Sequence, residues 1–276
     1  LVDLTALFGE PQKRVTISFD GGPVPLYELY LFTDGELPDW VQQWEAPVEG
    51  ATDLVLFSTH CDDEQLFFAG VLPYYAGELG YRVEVVYLTD LVVESLTGPE
   101  VRQALLTQFL DEAGVKEQGE REAVEAYLSE LDVRAMVSAM MAGVRRSDLR
   151  RQGGRLSDHL SGLGEDYPFA VDPMPNLYFT RDPFATIGTG VSIHKMHTVT
   201  RNRETLFGRF IFEHNPAYEN APRWYDRSAE SSLEGGDILV LSPEVLAVGI
   251  SERTREDSID ALAETVLRES PTFQKV

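Results

Sequence analysis

The segment Asp-Pro-Met-Pro-Asn-Leu-Tyr-Phe-Thr-Arg-Asp, residues 172–182, places an amide, an aromatic ring, a guanidinium and a carboxylate close together in the chain. Pro173 and Pro175 cannot donate backbone hydrogen bonds, and they disfavour helix around them. The residues after them therefore predict a short strand or loop edge. This element ends at Asp182 and delivers its carboxylate to a defined place.

Two later segments share this polarity. Glu-Gly-Gly-Asp occupies residues 234–237, and Ser-Glu-Arg occupies residues 251–253. The apolar runs between them, 238–241 and 245–250, are joined by Ser-Pro-Glu and predict a β-hairpin. A hairpin that is roughly symmetric about Pro243 would bring Glu234 close to Arg253 at its open end.

These acidic segments suit a planar cation. A guanidinium presents its N–H donors in a fork, which a carboxylate matches with two parallel charge-assisted bonds. Asp182 and Glu234 would hold the cation, and one of them could move protons. The adjacent glycines would let the backbone come close and take φ > 0. Arg201 and Arg253 would grip a carboxylate at the other end of the ligand. The alternative is that these residues form ordinary ion pairs.

Composition limits the partners. The chain of 276 residues carries 46 acidic and 23 basic side chains, a formal charge of −23. Nucleic acid and anionic membranes are therefore poor partners, and no run approaches the roughly 20 apolar residues of a membrane helix. The single cysteine, Cys61, cannot form an intrachain disulfide, which indicates a reducing, cytoplasmic setting.

The first third of the chain predicts a Rossmann-like β-α-β segment. A buried strand at 53–58 precedes the polar run Thr-His-Cys-Asp-Asp-Glu, a helical pattern covers about 65–79, and a second strand follows at 82–88. Such a unit predicts a parallel strand pair. Its polar run would lie at the carboxyl end of the first strand, where α/β sheets place ligands.

Residues 39–89, with this polar run, resemble the zinc-dependent N-acetylglucosaminyl deacetylases of the PIG-L type. The resemblance implies that His60 and Asp63 are metal ligands and that Asp62 is the general base, with zinc as cofactor. Cys61 replaces the usual proline of that family, and the resemblance stops near Leu88. The alternative is that His60 and Asp62 cap the start of a helix.

Helices and strands alternate in blocks along the rest of the chain. Helical patterns cover about 99–113, 117–131 and 133–144, with Gly114 as a plausible stop. From Asp172 the chain is mostly β, with helices predicted from about 201 to 212 and from 257 to 268.

A second resemblance covers residues 87–276 and joins several of these motifs. Asp-Leu-Val-Val-Glu (90–94), the segment 174–185, Arg-Glu-Thr-Leu (203–206), Glu-Gly-Gly-Asp (234–237) and Gly-Ile-Ser-Glu-Arg-Thr (249–254) resemble the arginine deiminases of the guanidino-group-modifying superfamily. The resemblance implies hydrolysis of L-arginine to L-citrulline and ammonia without a cofactor. It also implies catalytic roles for Asp182 and Glu234, and substrate-binding roles for Asn176, Phe179, Arg201, Asp237 and Arg253.

The fold that this resemblance implies is a partial α/β-propeller with a helical insertion. We expect a deacetylase-like α/β segment at 1–90, the helical insertion at 91–150 and incomplete propeller modules at 151–276. The family mechanism needs a cysteine nucleophile and a histidine nearer the C-terminus, and the printed sequence stops at Val276. We therefore expect binding of arginine rather than turnover, from a chain that is chimeric or truncated.

Two other functions stay open at this point. One is the zinc-dependent deacetylase, and the other is a non-catalytic arginine-binding or assembly module. The expected partner is L-arginine or a similar guanidinium compound, and a homo-oligomer is compatible with the sequence.

Overall fold

The structure, a computed structural model, describes residues 4–10, 13–17, 51–59, 63–149 and 167–276. The chain divides into two units, residues 1–51 and residues 52–276. In the first unit, helix α1 spans Leu4–Phe8. The elements below all belong to the second unit. Within the described ranges, no helix has both the length and the hydropathy needed to cross a bilayer.

The predicted β-α-β segment is present. Strand β1 (Leu54–Ser58) pairs in parallel with β2 (Val83–Tyr87). The connection contains helix α2 (Asp63–Phe68) and a π-helical turn (Pro73–Glu78). The predicted helix at 65–79 is therefore divided. It is interrupted by a turn at residues 69 and 70, and Pro73 cannot donate a helical hydrogen bond.

Four helices follow β2. They are α3 (Leu88–Ser95), α4 (Pro99–Glu112), α5 (Gln118–Glu130) and α6 (Val133–Ala142). The predictions of α4, α5 and α6 are confirmed. Gly114 ends α4 with φ 75°, the left-handed conformation that glycine adopts at low cost. The Asp132 side chain caps α6 by accepting a hydrogen bond from the backbone N–H of Ala135 at 2.8 Å.

The remaining elements form three small sheets with helices beside them. Strands β3 (Val144–Arg145) and β4 (Phe169–Val171) are antiparallel. Strands β5 (Phe184–Ile187) and β6 (Gly190–Ile193) form a hairpin, and β7 (Arg223–Tyr225) lies parallel to β6. Helices α7 (Val199–Asn202) and α8 (Glu204–His214) connect β6 to β7. Strands β8 (Ile238–Ser242) and β9 (Val245–Val248) form the predicted hairpin, and α9 (Glu256–Glu269) follows it.

The sheet of β5, β6 and β7 is buried on both faces. Phe184 pairs with Ile193 on one face, which packs in a hydrophobic cluster with α3, α4, α6 and α8. Ala185 and Ile187 point to the other face, which packs in a second cluster with Trp224 and α9. Alternate strand residues face opposite sides of a sheet, so β6 separates the two clusters. Polar side chains on this strand are consequently enclosed.

Strand β1 packs directly on this central sheet. The Phe57 ring meets the rings of Phe184, Phe212 and Tyr218 at centroid distances of 5.6, 6.1 and 5.8 Å. The fold is mixed α/β, which confirms the predicted fold class. The domain boundaries predicted at residues 90 and 150 stay predictions.

Candidate functional site

The loop at residues 172–183 leads into β5 and carries Asp182. Its proline-rich start forms turns rather than a strand, and the Asp182 N–H donates to the Phe179 carbonyl oxygen at 2.9 Å. Two threonines fix the loop to β1. The Thr180 hydroxyl donates to the Phe57 carbonyl at 3.0 Å, and the Thr59 hydroxyl donates to the Leu177 carbonyl at 2.6 Å. The loop is therefore anchored just before its last acidic residue.

Asp182 is held through both its side chain and its backbone. Arg201 Nη1 donates to Asp182 Oδ2 at 3.0 Å. The backbone carbonyl of Asp182 accepts from the Gly235 N–H at 3.3 Å and lies 2.6 Å from His194 Nδ1. The Gly235 bond joins the loop of the first acidic segment to the loop of the second one.

Glu234 is a buried carboxylate with 3% of its surface exposed. Its Oε1 accepts from the backbone N–H of His197 at 3.2 Å, and its Oε2 lies 3.3 Å from Arg253 Nη1. The predicted proximity of Glu234 and Arg253 is confirmed. The Glu234 N–H donates to the Thr254 hydroxyl at 3.1 Å. Residues at the open end of the hairpin therefore hold both the backbone and the side chain of Glu234.

Ser251 organises the turn that carries Arg253. Its hydroxyl donates to Asp237 Oδ2 at 2.7 Å and accepts from the N–H groups of Arg253 and Thr254 at 3.0 and 3.1 Å. Asp237 thereby contributes to the site through the turn, and it also lines the cavity described below.

Gly235 allows the two acidic loops to approach each other. A Cβ atom there would lie 1.8 Å from the backbone oxygen of Arg181 and 2.8 Å from His194 Cε1. The close backbone approach expected of the glycine pair is confirmed at this position. The expected positive φ is wrong, because neither Gly235 nor Gly236 is among the glycines with φ > 0. The requirement for glycine at 235 is steric.

These segments enclose an open cavity of about 460 Å³, a size suited to a small-molecule ligand. Its lining residues carry mostly negative charge; they are Asp182, Glu234, Gly236, Asp237, Ser251, Glu252 and Arg253. A second cavity, of about 520 Å³, lies along one face of α4 alone. Because only the first cavity collects charged groups from separate segments, it is the candidate functional site.

Arg201 and Glu204 form the wall behind Asp182. Arg201 donates to both Glu204 carboxylate oxygens from Nε, at 3.2 and 3.1 Å, and from Nη2 to Oε2 at 2.8 Å. Burial raises the pKa of Glu204, Arg201 lowers it, and the charges of Asp182 and Glu234 raise it further. Burial lowers the pKa of Arg201, but the bonds to Glu204 and Asp182 outweigh burial and raise it. Sequence reasoning gave Glu204 no role, although it lies within the Arg-Glu-Thr-Leu motif.

His194 lies beneath the site and is fully buried. A carbonyl oxygen can only accept, so the proton is on Nδ1, which donates to the Asp182 carbonyl. Among the residues that the structure describes, Nε2 has no hydrogen-bond partner. Burial is the main reason why the pKa of His194 falls to about 4, against the raising effect of Asp182. Sequence reasoning did not select this histidine for the site.

Two predicted ligand-binding residues lie on the same loop but outside the cavity lining. The Asn176 carbonyl accepts from the Phe179 N–H at 3.0 Å, which closes a turn. The Phe179 side chain is 47% exposed, and its ring lies 3.9 Å from that of Tyr178, centroid to centroid. The structure brings Asp182, Glu234 and Arg253 together, and leaves these two residues beside them.

The predicted zinc site falls largely outside the described residues. His60 and Asp62 lie there, and Asp63 is the first residue of α2, with 5% of its surface exposed. Within residues 63–149 and 167–276 and the shorter described ranges, no group of three or more His, Cys, Asp or Glu side chains could hold a metal ion. The zinc proposal therefore gains no ligand set from the described part of the chain.

The sequence that forms this site is similar to those of known proteins. Residues 80–276 match the family model described as arginine deiminase. The arginine deiminase of Streptococcus uberis is 47% identical over 200 residues, which cover 70% of this chain and 48% of the relative. The arginine deiminase of Borrelia duttonii is 43% identical over 200 residues, 71% of this chain and 48% of the relative. The chain thus spans about half the length of the curated relatives it matches.

Similarity to solved structures is weaker. The DDAH from Pseudomonas aeruginosa, solved in complex with citrulline, gives a TM-score of 0.31 at 18% identity, covering 38% of this chain and 41% of that one. The family assignment depends on the sequence match, which extends over more than two thirds of this chain and includes every residue that lines the acidic cavity. The chain belongs to the arginine deiminase family.

Proposed function

We propose that the acidic cavity binds the guanidinium group of L-arginine and that the chain forms the substrate-binding part of an arginine deiminase. The observation that carries this proposal is the convergence of Asp182 and Glu234 on one cavity. They are 52 positions apart in the sequence, and the hydrogen bond from the Gly235 N–H to the Asp182 carbonyl connects their loops. Glu234 is buried and Asp182 is half-buried, and carboxylates held in fixed positions suit the planar fork of a guanidinium.

Arg253 already shows how a guanidinium meets Glu234. Its Nη1 lies 3.3 Å from Glu234 Oε2, and its side chain is 59% exposed. Arg253 is only weakly held at this separation, because water competes for its exposed guanidinium while Glu234 stays buried. We therefore expect the substrate guanidinium to replace Arg253 on Glu234, which frees Arg253 to bind the α-carboxylate of the substrate.

Asp182 contributes its other carboxylate oxygen. Oδ2 accepts from Arg201, while Oδ1 lies 3.5 Å from the place where a Cβ would lie on Gly236, another residue of the cavity lining. The substrate guanidinium would donate to Oδ1. Arg201 is engaged with Asp182 and Glu204, so in this proposal it orients Asp182, whereas the family resemblance implies contact with the substrate.

The proposed reaction is the hydrolysis of L-arginine to L-citrulline and ammonia, without a cofactor. We assign it to the whole protein, because the chain spans about half the length of its curated relatives. The family resemblance implies a cysteine that attacks the guanidinium carbon and a histidine that transfers protons. In this proposal the residues of the acidic cavity bind and orient the substrate. Asp182 and Glu234 would keep the guanidinium charged and correctly oriented before the attack, in which its carbon becomes tetrahedral.

Calorimetric titration with L-arginine tests the binding site. We expect Asp182→Asn and Glu234→Gln each to weaken binding about tenfold or more, because each loses a charge-assisted bond while it keeps its shape. Asp260→Asn is the matched control, since it removes one negative charge from the exposed face of α9. Equal affinities for all four proteins would contradict the proposal.

Agmatine, which is arginine without its carboxylate, tests the assignment of Arg253. Arg253→Ala should weaken L-arginine binding about tenfold, in line with the loss of a hydrogen bond to a charged group. It should leave agmatine binding unchanged or tighter, because Glu234 loses a competing partner. A similar loss of affinity for both ligands would show that Arg253 does not read the carboxylate. An assay for citrulline then separates turnover from binding alone.

The wider architecture forms part of this proposal. Small sheets with an adjoining helix recur at β1–β2, at β5–β7 and at β8–β9, which supports a partial α/β-propeller. The boundaries proposed from the sequence, 1–90, 91–150 and 151–276, place helices α4 to α6 in an insertion. We also place the protein in the cytoplasm, on the strength of its single cysteine.

A further inference from the structure

We propose that His194 is a positioning residue that fixes the separation of the two acidic segments. This inference rests on the proposed function for its role in arginine binding. The backbone hydrogen bond between the segments ends on the backbone oxygen of Asp182, and His194 donates to that same atom. The other acidic segment approaches the same atom through the N–H of Gly235.

His194 holds the end of the Asp182 loop through two hydrogen bonds. Its backbone N–H donates to the Pro183 carbonyl at 2.9 Å, and its Nδ1–H donates to the Asp182 carbonyl at 2.6 Å. One residue thus binds two successive carbonyl groups. His194 follows directly after β6, so these hydrogen bonds connect the loop to the central strand of a sheet that is buried on both faces.

Two donors use the acceptor capacity of the Asp182 carbonyl. Besides Nδ1, the Gly235 N–H donates to it at 3.3 Å. A Cβ on Gly235 would lie 2.8 Å from His194 Cε1, so the imidazole lies beside residue 235 and adds to the steric need for glycine there. The ring therefore orients the carbonyl to which the Gly235 N–H also donates, and it lies beside that glycine. The carboxylates of Asp182 and Glu234 follow from these backbone positions.

The chemical state of the ring suits this task. The proton must be on Nδ1, and Nε2 bonds to none of the described residues, so the polar role of His194 is a single donated hydrogen bond. A lysine or arginine in its place would bring a positive charge next to carboxylates that must bind a cation. A neutral donor avoids that competition.

Two amide substitutions separate this role from general packing. The amide nitrogen of asparagine can occupy the position of Nδ1, whereas that of glutamine reaches the position of Nε2. We expect His194→Asn to bind L-arginine within about threefold of the wild type, and His194→Gln to bind about tenfold more weakly, as for the loss of one hydrogen bond. Asparagine leaves more of the buried space empty than glutamine does, so a packing role would weaken His194→Asn at least as much as His194→Gln. That result would overturn the inference.

A measurement without ligand separates this inference from the proposed function. Amide hydrogen exchange at Gly235 should be as slow in His194→Asn as in the wild type, and about tenfold faster in His194→Gln. An unchanged exchange rate at Gly235 in His194→Gln would overturn the positioning role, whatever the affinity of that variant for L-arginine. Normal exchange behaviour without any arginine binding would instead overturn the proposed function.

The tautomer of the wild-type protein provides a test that needs no variant. Long-range ¹H–¹⁵N spectra distinguish a proton on Nδ1 from one on Nε2. We expect the Nδ1–H form of His194 at pH 7, both with and without L-arginine. An Nε2–H tautomer or an imidazolium would overturn the inference, because the Asp182 carbonyl would then lack its neutral donor.

Discussion

Acid should destabilise the wild-type protein more than the His194→Asn variant. His194 is fully buried, and its pKa falls from the ordinary 6.5 to about 4. Burial is the largest cause, and the positive charge of Arg181 adds to it, while the hydrogen bond and the charge of Asp182 oppose it. Between these two pKa values the unfolded chain binds a proton at this residue and the folded protein does not.

The magnitude follows from linkage. One pKa unit corresponds to about 1.36 kcal/mol, so the fall from 6.5 to about 4 is worth about 3 kcal/mol. The neutral ring makes this contribution in full above pH 6.5. It is lost progressively as the pH falls from 6.5 to 4, and it changes little below that. The free energy of unfolding should therefore rise with pH across this window.

Urea unfolding at pH 4, 5, 6 and 7 measures the effect. Carboxylates titrate in both proteins, so they largely cancel when the wild type is compared with His194→Asn. The wild type should lose about 3 kcal/mol more than the variant between pH 7 and pH 4. Parallel stability curves for the two proteins would refute the reasoning, since they would mean that the buried imidazole takes up its proton as easily as one in water.

Two further predictions concern packing and a partly buried ion pair. Gly235→Ala should lower the free energy of unfolding by about 3 kcal/mol or more, because its Cβ would lie 1.8 Å from a backbone oxygen. Gly249→Ala is the control, since the nearest neighbour of its Cβ would lie at 3.7 Å. In the same urea titration this variant should change the free energy of unfolding by about 0.5 kcal/mol or less. Arg227→Met should cost about 3 kcal/mol, since it leaves Glu112 without the guanidinium that reaches both its oxygens at 2.6 and 2.7 Å. Arg268→Ala, on an exposed arginine, should cost less than about 1 kcal/mol, and equal losses for the two arginine variants would contradict this assignment.

The sequence was sufficient to predict how the site closes at Glu234. Two apolar runs around Ser-Pro-Glu imply an antiparallel pair, and the pairing of Ile238 with Val248 then brings the flanking residues together. The contact between Glu234 and Arg253 is a direct geometric result of that hairpin. Local patterns are informative here because a short turn determines which residues lie opposite each other.

The surroundings of Asp182 could not be read in the same way. Its side-chain partner is Arg201, 19 positions away, and not the neighbouring Arg181 that an ordinary local ion pair would use. His194 follows a buried strand in which every residue is enclosed, so alternation gives no signal for it. Its partner is a backbone carbonyl, and no residue type identifies such an acceptor in a sequence. These contacts depend on tertiary packing.

Helix α3 is another element that the local pattern does not indicate. Residues 88–95, Leu-Thr-Asp-Leu-Val-Val-Glu-Ser, contain β-branched side chains that favour strand. The helix is nevertheless formed, with Leu88 and Val92 fully buried four positions apart, against α6 and α8. Burial of one helical face outweighs the small intrinsic preference of valine and threonine.

The attachment of the Asp182 loop to β1 has a practical consequence for anyone who designs a shorter fragment. The family match begins at residue 80, so a fragment excised at that limit would omit β1. It would lose the two threonine bonds that tether the loop, and it would expose the aromatic rings on which Phe57 rests. Homology boundaries would therefore cut through the scaffold of the binding site, and a faithful minimal version should begin ahead of residue 52.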